Sequence, residues 1–388
     1  MTESIQNNHV DAVAFCRELV SIPSLPGEEY EAADWAAAKM QRLGFSDIHC
    51  DRYGSITGIW QGDLPGPTLL FDSHLDIAPV VEPERWQHKP FGGEMEDGRI
   101  WGRGSADTKA SLAAMLAALS GLPRKGLSGR IVLAASVQEE VMTGAAVTHI
   151  LKRFDPDVFV TGEPTSLKLA TAQKGRVTLE LHARGRSAHT SSPDAGVNAV
   201  YAMIEAVHRL RNMPMHHDPE LGREILELTE MISIPYPNPG QVPQGCIVRL
   251  IGRVLPEETQ SGILRRVRAA LRDIPAIDEV SVARLSSRSF TGASLVMDDF
   301  LPGWRNPPGD AWGNKIIEAL ASEGLPAERF GAGCGTNASA AGALGIPAFI
   351  YGPGNLAQAH TVDEWVSVED IHRAVRGFRA IAKACLSG

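Results

Sequence analysis

Ile131-Val132-Leu133-Ala134-Ala135-Ser136-Val137 runs straight into Gln138-Glu139-Glu140. An unbroken apolar run of this kind marks a strand covered on both faces, as in a sheet flanked by helices. Reading outward, residues 158–161 form another such strand, and residues 56–60 and 68–71 read as two more. The segment 107–119 is rich in Ala, Leu and Met and predicts a buried helix. Helical spacing also covers 11–20 and 28–43, the second ended by Gly44 as a C-cap. Strands alternating with helices predict an α/β layered domain.

From about Gly175 the pattern changes. Residues 177–183 alternate as a strand, and 198–210 are helical after Ser191-Ser192-Pro193-Asp194. Residues 225–234 and 246–254 read as strands, 257–271 as a helix and 279–285 as a last strand. The order βαββαβ is the split, ferredoxin-like unit. Beyond it, 313–321 is helical, 348–351 is a strand ending in Gly352-Pro353-Gly354, and 368–384 is a final helix. The expected division is therefore 1–175 with 290–388 for the layered domain, and 176–289 for an inserted one.

The chain has 388 residues, too many for one ordinary core, which independently favours two domains. Hydrophobic residues at 44% and charged residues at 21% place it among soluble globular proteins. A net charge of −9 without a basic stripe argues against nucleic acid as a partner. No run approaches the ~20 apolar residues of a membrane span. Residues 1–10 are polar, so no signal peptide is expected. Cys16, Cys50, Cys246, Cys334 and Cys385 are scattered, without a Cys-x-x-Cys pair, and read as reduced thiols in a cytoplasmic protein.

Five residues read as ligands of a two-metal hydrolase: His74, Asp107, Glu140, Glu163 and His360. Imidazole with carboxylate is the donor set of divalent zinc, cobalt or manganese. Each has an ordinary reading too. His74 at a strand end is commonly a hydrogen-bonded structural residue. Asp107 in a Gly-Ser turn before a helix is commonly an N-cap. Glu139-Glu140 directly after a buried strand are commonly solvated, Glu163-Pro164 is a plain turn, and His360 is a candidate helix cap. The spacing still carries chemistry. Asp76, two residues from His74 on the same strand face, can accept the second ring N–H and fix the ligating tautomer. Adjacent glutamates point differently, so one can bind metal while Glu139 acts as the base that hydrolysis requires. Two cations a few ångströms apart repel, and a bridging carboxylate such as Asp107 offsets that.

Taken together, the motifs resemble the M20 family of metallopeptidases and amidohydrolases. That family includes acetylornithine deacetylase, succinyl-diaminopimelate desuccinylase and glutamate carboxypeptidase. The resemblance rests on Ser73-His74-Leu75-Asp76, Gly102-Arg103-Gly104-Ser105-Ala106-Asp107-Thr108-Lys109, Glu139-Glu140 and Gly162-Glu163-Pro164. It rests also on Gly185-Arg186-Ser187-Ala188-His189-Thr190, Tyr351-Gly352-Pro353-Gly354 and Ala359-His360-Thr361-Val362-Asp363-Glu364. It implies a zinc-exopeptidase-like catalytic domain with the ferredoxin-like unit as lid and dimerisation domain. It implies two zinc ions per subunit, with cobalt or manganese as alternatives. Asp107 would bridge them, Glu140 and His360 would complete one site, and His74 and Glu163 the other. It assigns Glu139 as general base and acid, Asp76 as the residue that orients His74, and a cis peptide to Asp107-Thr108. His189 would reach the partner subunit's site in a homodimer and steady an oxyanion, and Arg253 would bind a substrate carboxylate. The implied activity is hydrolysis of an amide, peptide or carbamoyl bond in a small N-acyl amino acid or peptide. The competing readings are a dipeptidase or carboxypeptidase and a non-catalytic binding protein on the same scaffold. Three positions depart from the family pattern: Gly240, Ile251 and Asn337 stand where other members carry Asn, Asp and Asp.

Overall fold

The computed structural model describes residues 11–386. The polar stretch 1–10, on which the expectation about a signal peptide rests, lies outside them. The larger unit is built on a nine-stranded sheet. Its centre is four parallel strands in the order Ser128–Ser136, Leu64–His74, Val158–Thr161 and Ala348–Ile350. The apolar runs read from the sequence form these strands because both faces are covered. Successive residues on a strand point to opposite faces. Leu69, Phe71, Ile131, Leu133, Val158 and Val160 accordingly enter one buried cluster, while Leu70, Val132, Ala134 and Phe159 enter another. Helices Ala12–Val20, Tyr30–Arg42, Ala110–Ser120 and Val368–Leu386 close the first cluster, and Ala145–Phe154 and Ala338–Ala343 close the second. Every residue of Ala110–Ser120 except Ser120 is buried, which is why that helix has no polar face.

The inserted unit follows the order βαββαβ. Its main strands lie in the order Ile225–Ile234, Gly245–Val254, Gly175–Arg184 and Ile277–Val282, all antiparallel. Helices Ala199–Arg211 and Gln260–Leu271 share a core with Val177, Leu179, Leu181, Val248 and Leu250.

Two elements differ from the sequence reading. The last strand of the inserted unit stops at Val282, and Arg284–Arg288 instead pairs with Ser294–Asp298 in a hairpin. The alternation continues through Leu285 because that residue packs against the larger unit's core, so the pattern alone does not mark the break. Phe300–Leu301 then pairs back onto Gly175–Arg184 before Trp304–Arg305 rejoins the larger sheet. The helix expected from Asp107 becomes regular only at Ala110, and Asp107 (φ −119°, ψ 87°) and Thr108 (φ −134°, ψ 24°) are not helical. All five cysteines are free. No helix among the described residues is long and apolar enough to cross a membrane.

Candidate metal centre

Parallel sheets place functional groups beyond the carboxyl ends of their strands. The four central strands end together, and each delivers a residue. His74 closes its own strand. Glu139 and Glu140 open the short helix Glu139–Met142 just after Ser128–Ser136, and Glu163 follows Val158–Thr161. His360 comes from the loop after Ala348–Ile350, with a left-handed backbone (φ 62°). Asp107 joins them from the turn before Ala110–Ser120, and its peptide bond to Thr108 is cis, as the family resemblance implies.

Asp107 stands between two donor sets. Its Oδ1 lies 3.2 Å from His74 Nε2, and its Oδ2 lies 3.3 Å from His360 Nε2. His360 Nε2 is also 3.1 Å from Glu140 Oε2. His74, Asp107 and Glu163 present ligand atoms within 4.8 Å of one another, and so do Asp107, Glu140 and His360. The structure thus brings together all five residues singled out from the sequence.

The site concentrates negative charge out of water. Burial pushes the Glu139 carboxyl up to about 8 and the Asp76 carboxyl up to about 7, with neighbouring carboxylates adding to both. Glu163 stands well above the usual carboxylate range, through burial first and Asp107 second. Hydrogen bonds that the His360 ring donates to the Asp107 and Glu140 carboxylates hold it up at about 10. Burial opposes charge on His74, yet its hydrogen bond with Asp107 keeps it well above the ordinary imidazole value. Glu140 Oε1 is buried without a hydrogen-bond partner. Surplus carboxylates, two imidazoles and an orphaned oxygen are what a pair of divalent cations would satisfy, so these residues fit such a centre.

The supports differ in part from the sequence reading. His74 Nδ1 pairs with the main-chain carbonyl of Asp76 at 2.8 Å, while the Asp76 carboxylate lies 3.7 Å from it. That carboxylate instead accepts the N–H groups of Glu139 and Glu140 at 3.0 and 2.9 Å. The strand ends at His74, so the same-face spacing argument stops before Asp76. One support has motif residues quoted from the sequence but a role that the sequence does not reveal. Glu364 accepts the N–H groups of Ala106 and Asp107 and pairs with Arg103 at 2.6 Å, all of it buried. Its partners lie far back in the chain, and no local pattern joins them. Gly352 is a position where only glycine fits, since a Cβ there would lie 2.5 Å from the main-chain oxygen of Glu163.

A cleft of about 260 Å³ runs from these carboxylates to Arg176 and Arg253. The two arginines are directly paired across neighbouring strands of the inserted sheet. Arg176 binds Asp299 at 3.0 Å, whereas none of the ion pairs among the described residues includes Arg253. Nothing in an alternating strand marks Arg176 as facing a cleft, and the sequence reading missed it. His189 does not line the cleft of its own chain. It is exposed, 2.8 Å from Ser191 Oγ. Cys334 does line it, with its thiol pushed up to about 12 by burial and so kept neutral. His216 gathers with Glu224 and Glu258, but the Arg266 guanidinium already pairs with both carboxylates.

The sequence pattern of Peptidase family M20/M25/M40 matches residues 70–384. The chain belongs to this family. As an M20 member it is a metallohydrolase, and its two-unit architecture is that of the family. It is similar to acetylornithine deacetylase of Pasteurella multocida, with 32% identity over 307 residues, covering 78% of this chain and 76% of that one. Its fold matches aminopeptidase PepT from Bacillus cereus with a TM-score of 0.76, at 21% identity over 97% of this chain and 99% of that one. It also matches the YXEP protein of Bacillus subtilis, a dinuclear metal-binding peptidase from the M20 family. There the TM-score is 0.71, at 14% identity over 97% of this chain and 98% of that one.

Proposed function

We propose that the protein is a two-metal amidohydrolase that removes an acyl or carbamoyl group from a small amino acid bearing a free carboxylate. Zinc is the proposed metal, with cobalt or manganese as alternatives. The observation that carries the reading is Asp107 shared between two donor triads, with Glu139 buried beside them and belonging to neither. A binding protein on this scaffold has no use for a base at that place. The chemistry gained from two cations in these triads is Lewis-acid activation of a water and of the scissile carbonyl. Glu139 takes the proton of the attacking water and returns it to the leaving nitrogen. Arg253, with Arg176 beside it, receives the substrate carboxylate as a bidentate partner.

In this reading residues 1–175 and 290–388 form the catalytic domain and 176–289 the lid. The lid's outer strand Ile225–Ile234 pairs on one side only and exposes Ile225, Met231, Ile232 and Ile234. An open apolar edge of that kind favours pairing with a second copy. In the homodimer His189 enters the partner subunit's cleft and donates to the developing oxyanion. We assign the protein to the cytoplasm. Support for deacylation over peptidase action comes from the likeness to acetylornithine deacetylase. The test is a screen of metal-loaded protein against acetyl, succinyl, formyl and carbamoyl amino acids and dipeptides, reading released amine. Turnover of an acylated amino acid, abolished by chelator and restored by zinc, cobalt or manganese, is expected. Chelator-insensitive turnover, or turnover of dipeptides alone, would overturn the reading.

A further inference from the structure

A second pocket, of about 190 Å³, opens off the cleft. Glu163, Cys334, Thr336 and Leu356 line both, so the two spaces are continuous beside a metal ligand. Its remaining wall is largely apolar, with Pro164, Phe330, Ala332 and Ile350. The two threonines in it are committed elsewhere, and Asn355 by its carbonyl end, while Ser166 also lines it. Thr336 Oγ1 donates to Gln173 Oε1 at 2.7 Å and accepts the Ala338 N–H. Thr165 Oγ1 donates to the Gly352 carbonyl and accepts the Gly352 N–H, and Asn355 Oδ1 accepts the Ala357 N–H. No cationic side chain lines the pocket, and Glu163 stands where it meets the cleft. An anionic group entering here would lose its water and meet no cation, only the donors Ser166 Oγ and Asn355 Nδ2 beside the Glu163 carboxylate.

We propose that this pocket is a specificity subsite for an uncharged apolar group of the substrate, of leucyl or phenyl size. An apolar cavity of about 150 Å³ holds benzene, so the volume suffices. The proposal rests on the amidohydrolase reading for its substrate, since the group must hang from a molecule whose scissile bond lies at the metal centre. It comes from the acyl chain or from the amino-acid side chain.

Gly333 gives the means to test it. It lies in the pocket wall, a Cβ there would meet nothing within 4 Å, and its backbone is not left-handed. Gly333→Leu therefore projects bulk into open space without strain, and Phe330→Ala enlarges the same pocket. Two substrate series are compared on metal-loaded protein: N-acyl glycines from acetyl to hexanoyl and phenylacetyl, and N-acetyl amino acids from glycine to leucine and phenylalanine. In the native protein kcat/KM rises along one series by ~10-fold or more, the scale of a methylene or two in an apolar pocket. Gly333→Leu abolishes that ratio, and Phe330→Ala moves the optimum to larger groups. The responding series identifies which end of the substrate enters. If neither series rises, or both variants keep the native ratio, the subsite is refuted while turnover of acetyl substrates leaves the amidohydrolase reading standing. If nothing is turned over, that reading fails instead. Calorimetric binding of hexanoate and of leucine then decides the pocket, since Gly333→Leu should weaken one of them and an unchanged affinity for both refutes it.

Discussion

Glu364→Gln tests whether a buried charge holds the turn that carries Asp107. Glu364 is fully buried, and Arg103 is 1% exposed with its Nε already lacking a partner. The substitution keeps the side-chain volume but leaves the guanidinium without its counter-ion. It also risks turning an amide N–H towards the N–H groups of Ala106 and Asp107. Removing one member of a buried pair costs about 3–5 kcal/mol. At ~2 °C per kcal/mol for a domain of this size, the melting temperature should fall by roughly 6–10 °C. Unfolding is followed in chelator, because bound metal would add its own stabilisation. The buffer should be more alkaline than the value of about 7 to which burial lifts this carboxyl, so that the pair is ionised. A second step isolates the charge effect. Arg103→Met added to Glu364→Gln removes the stranded cation, and the double variant should lie ~0.5–3 kcal/mol above the sum of the single losses. A Glu364→Gln protein within ~0.5 kcal/mol of the native one, as for an ordinary surface change, would refute the argument. Strict additivity in the double variant would refute it as well.

Glu139→Gln should lower kcat by ~10²–10⁴-fold, the usual contribution of a general acid–base, with metal content retained. Glu140→Gln should instead lower metal occupancy, and a Glu139→Gln enzyme near full activity would remove that residue from the chemistry. His189→Ala should lower kcat by ~10²–10³-fold without loss of metal, as for a missing oxyanion donor. Mixed with Glu139→Gln, it should give heterodimers that recover towards half the native rate, because one cleft then carries both lesions and the other none. Verified heterodimers without recovery would exclude action across the dimer.

The parallel centre of the sheet was legible because burial on both faces leaves a residue-level mark: the strand Ser128–Ser136 holds apolar side chains at every step from Ile131 to Ala135. Glu139, Glu140 and Glu163 read singly as solvated or turn residues and stand out only through the joint motif pattern and the family resemblance; the fold sets them just beyond Ser128–Ser136 and Val158–Thr161. The cross-chain supports were not legible. Arg103 and Glu364 meet across 261 positions, and each looks like an ordinary turn charge in its own segment. Arg176 faces the cleft from a strand whose alternation is equally consistent with solvent. The Arg284–Arg288 hairpin was misassigned because Leu285 serves a different core without breaking the period.

Asn337 shows how a departure from the family pattern can be read once the contacts are known. Its Nδ2 donates to Asp72 Oδ2 at 2.9 Å and to Ser136 Oγ at 3.2 Å, and its Oδ1 accepts the Gly144 N–H at 2.9 Å. The residue therefore ties two central strands to the start of Ala145–Phe154. Asp72 is wholly buried, its carboxyl raised by that burial, and its Oδ1 already lacks a partner. An aspartate at 337 would keep the Gly144 contact but lose the donor to Asp72. It would also set a second carboxylate against the first, two residues from His74, in a region already crowded with negative charge. Asn337 is thus a departure that fits this chain's own arrangement of buried charge, and it touches none of the five candidate ligands.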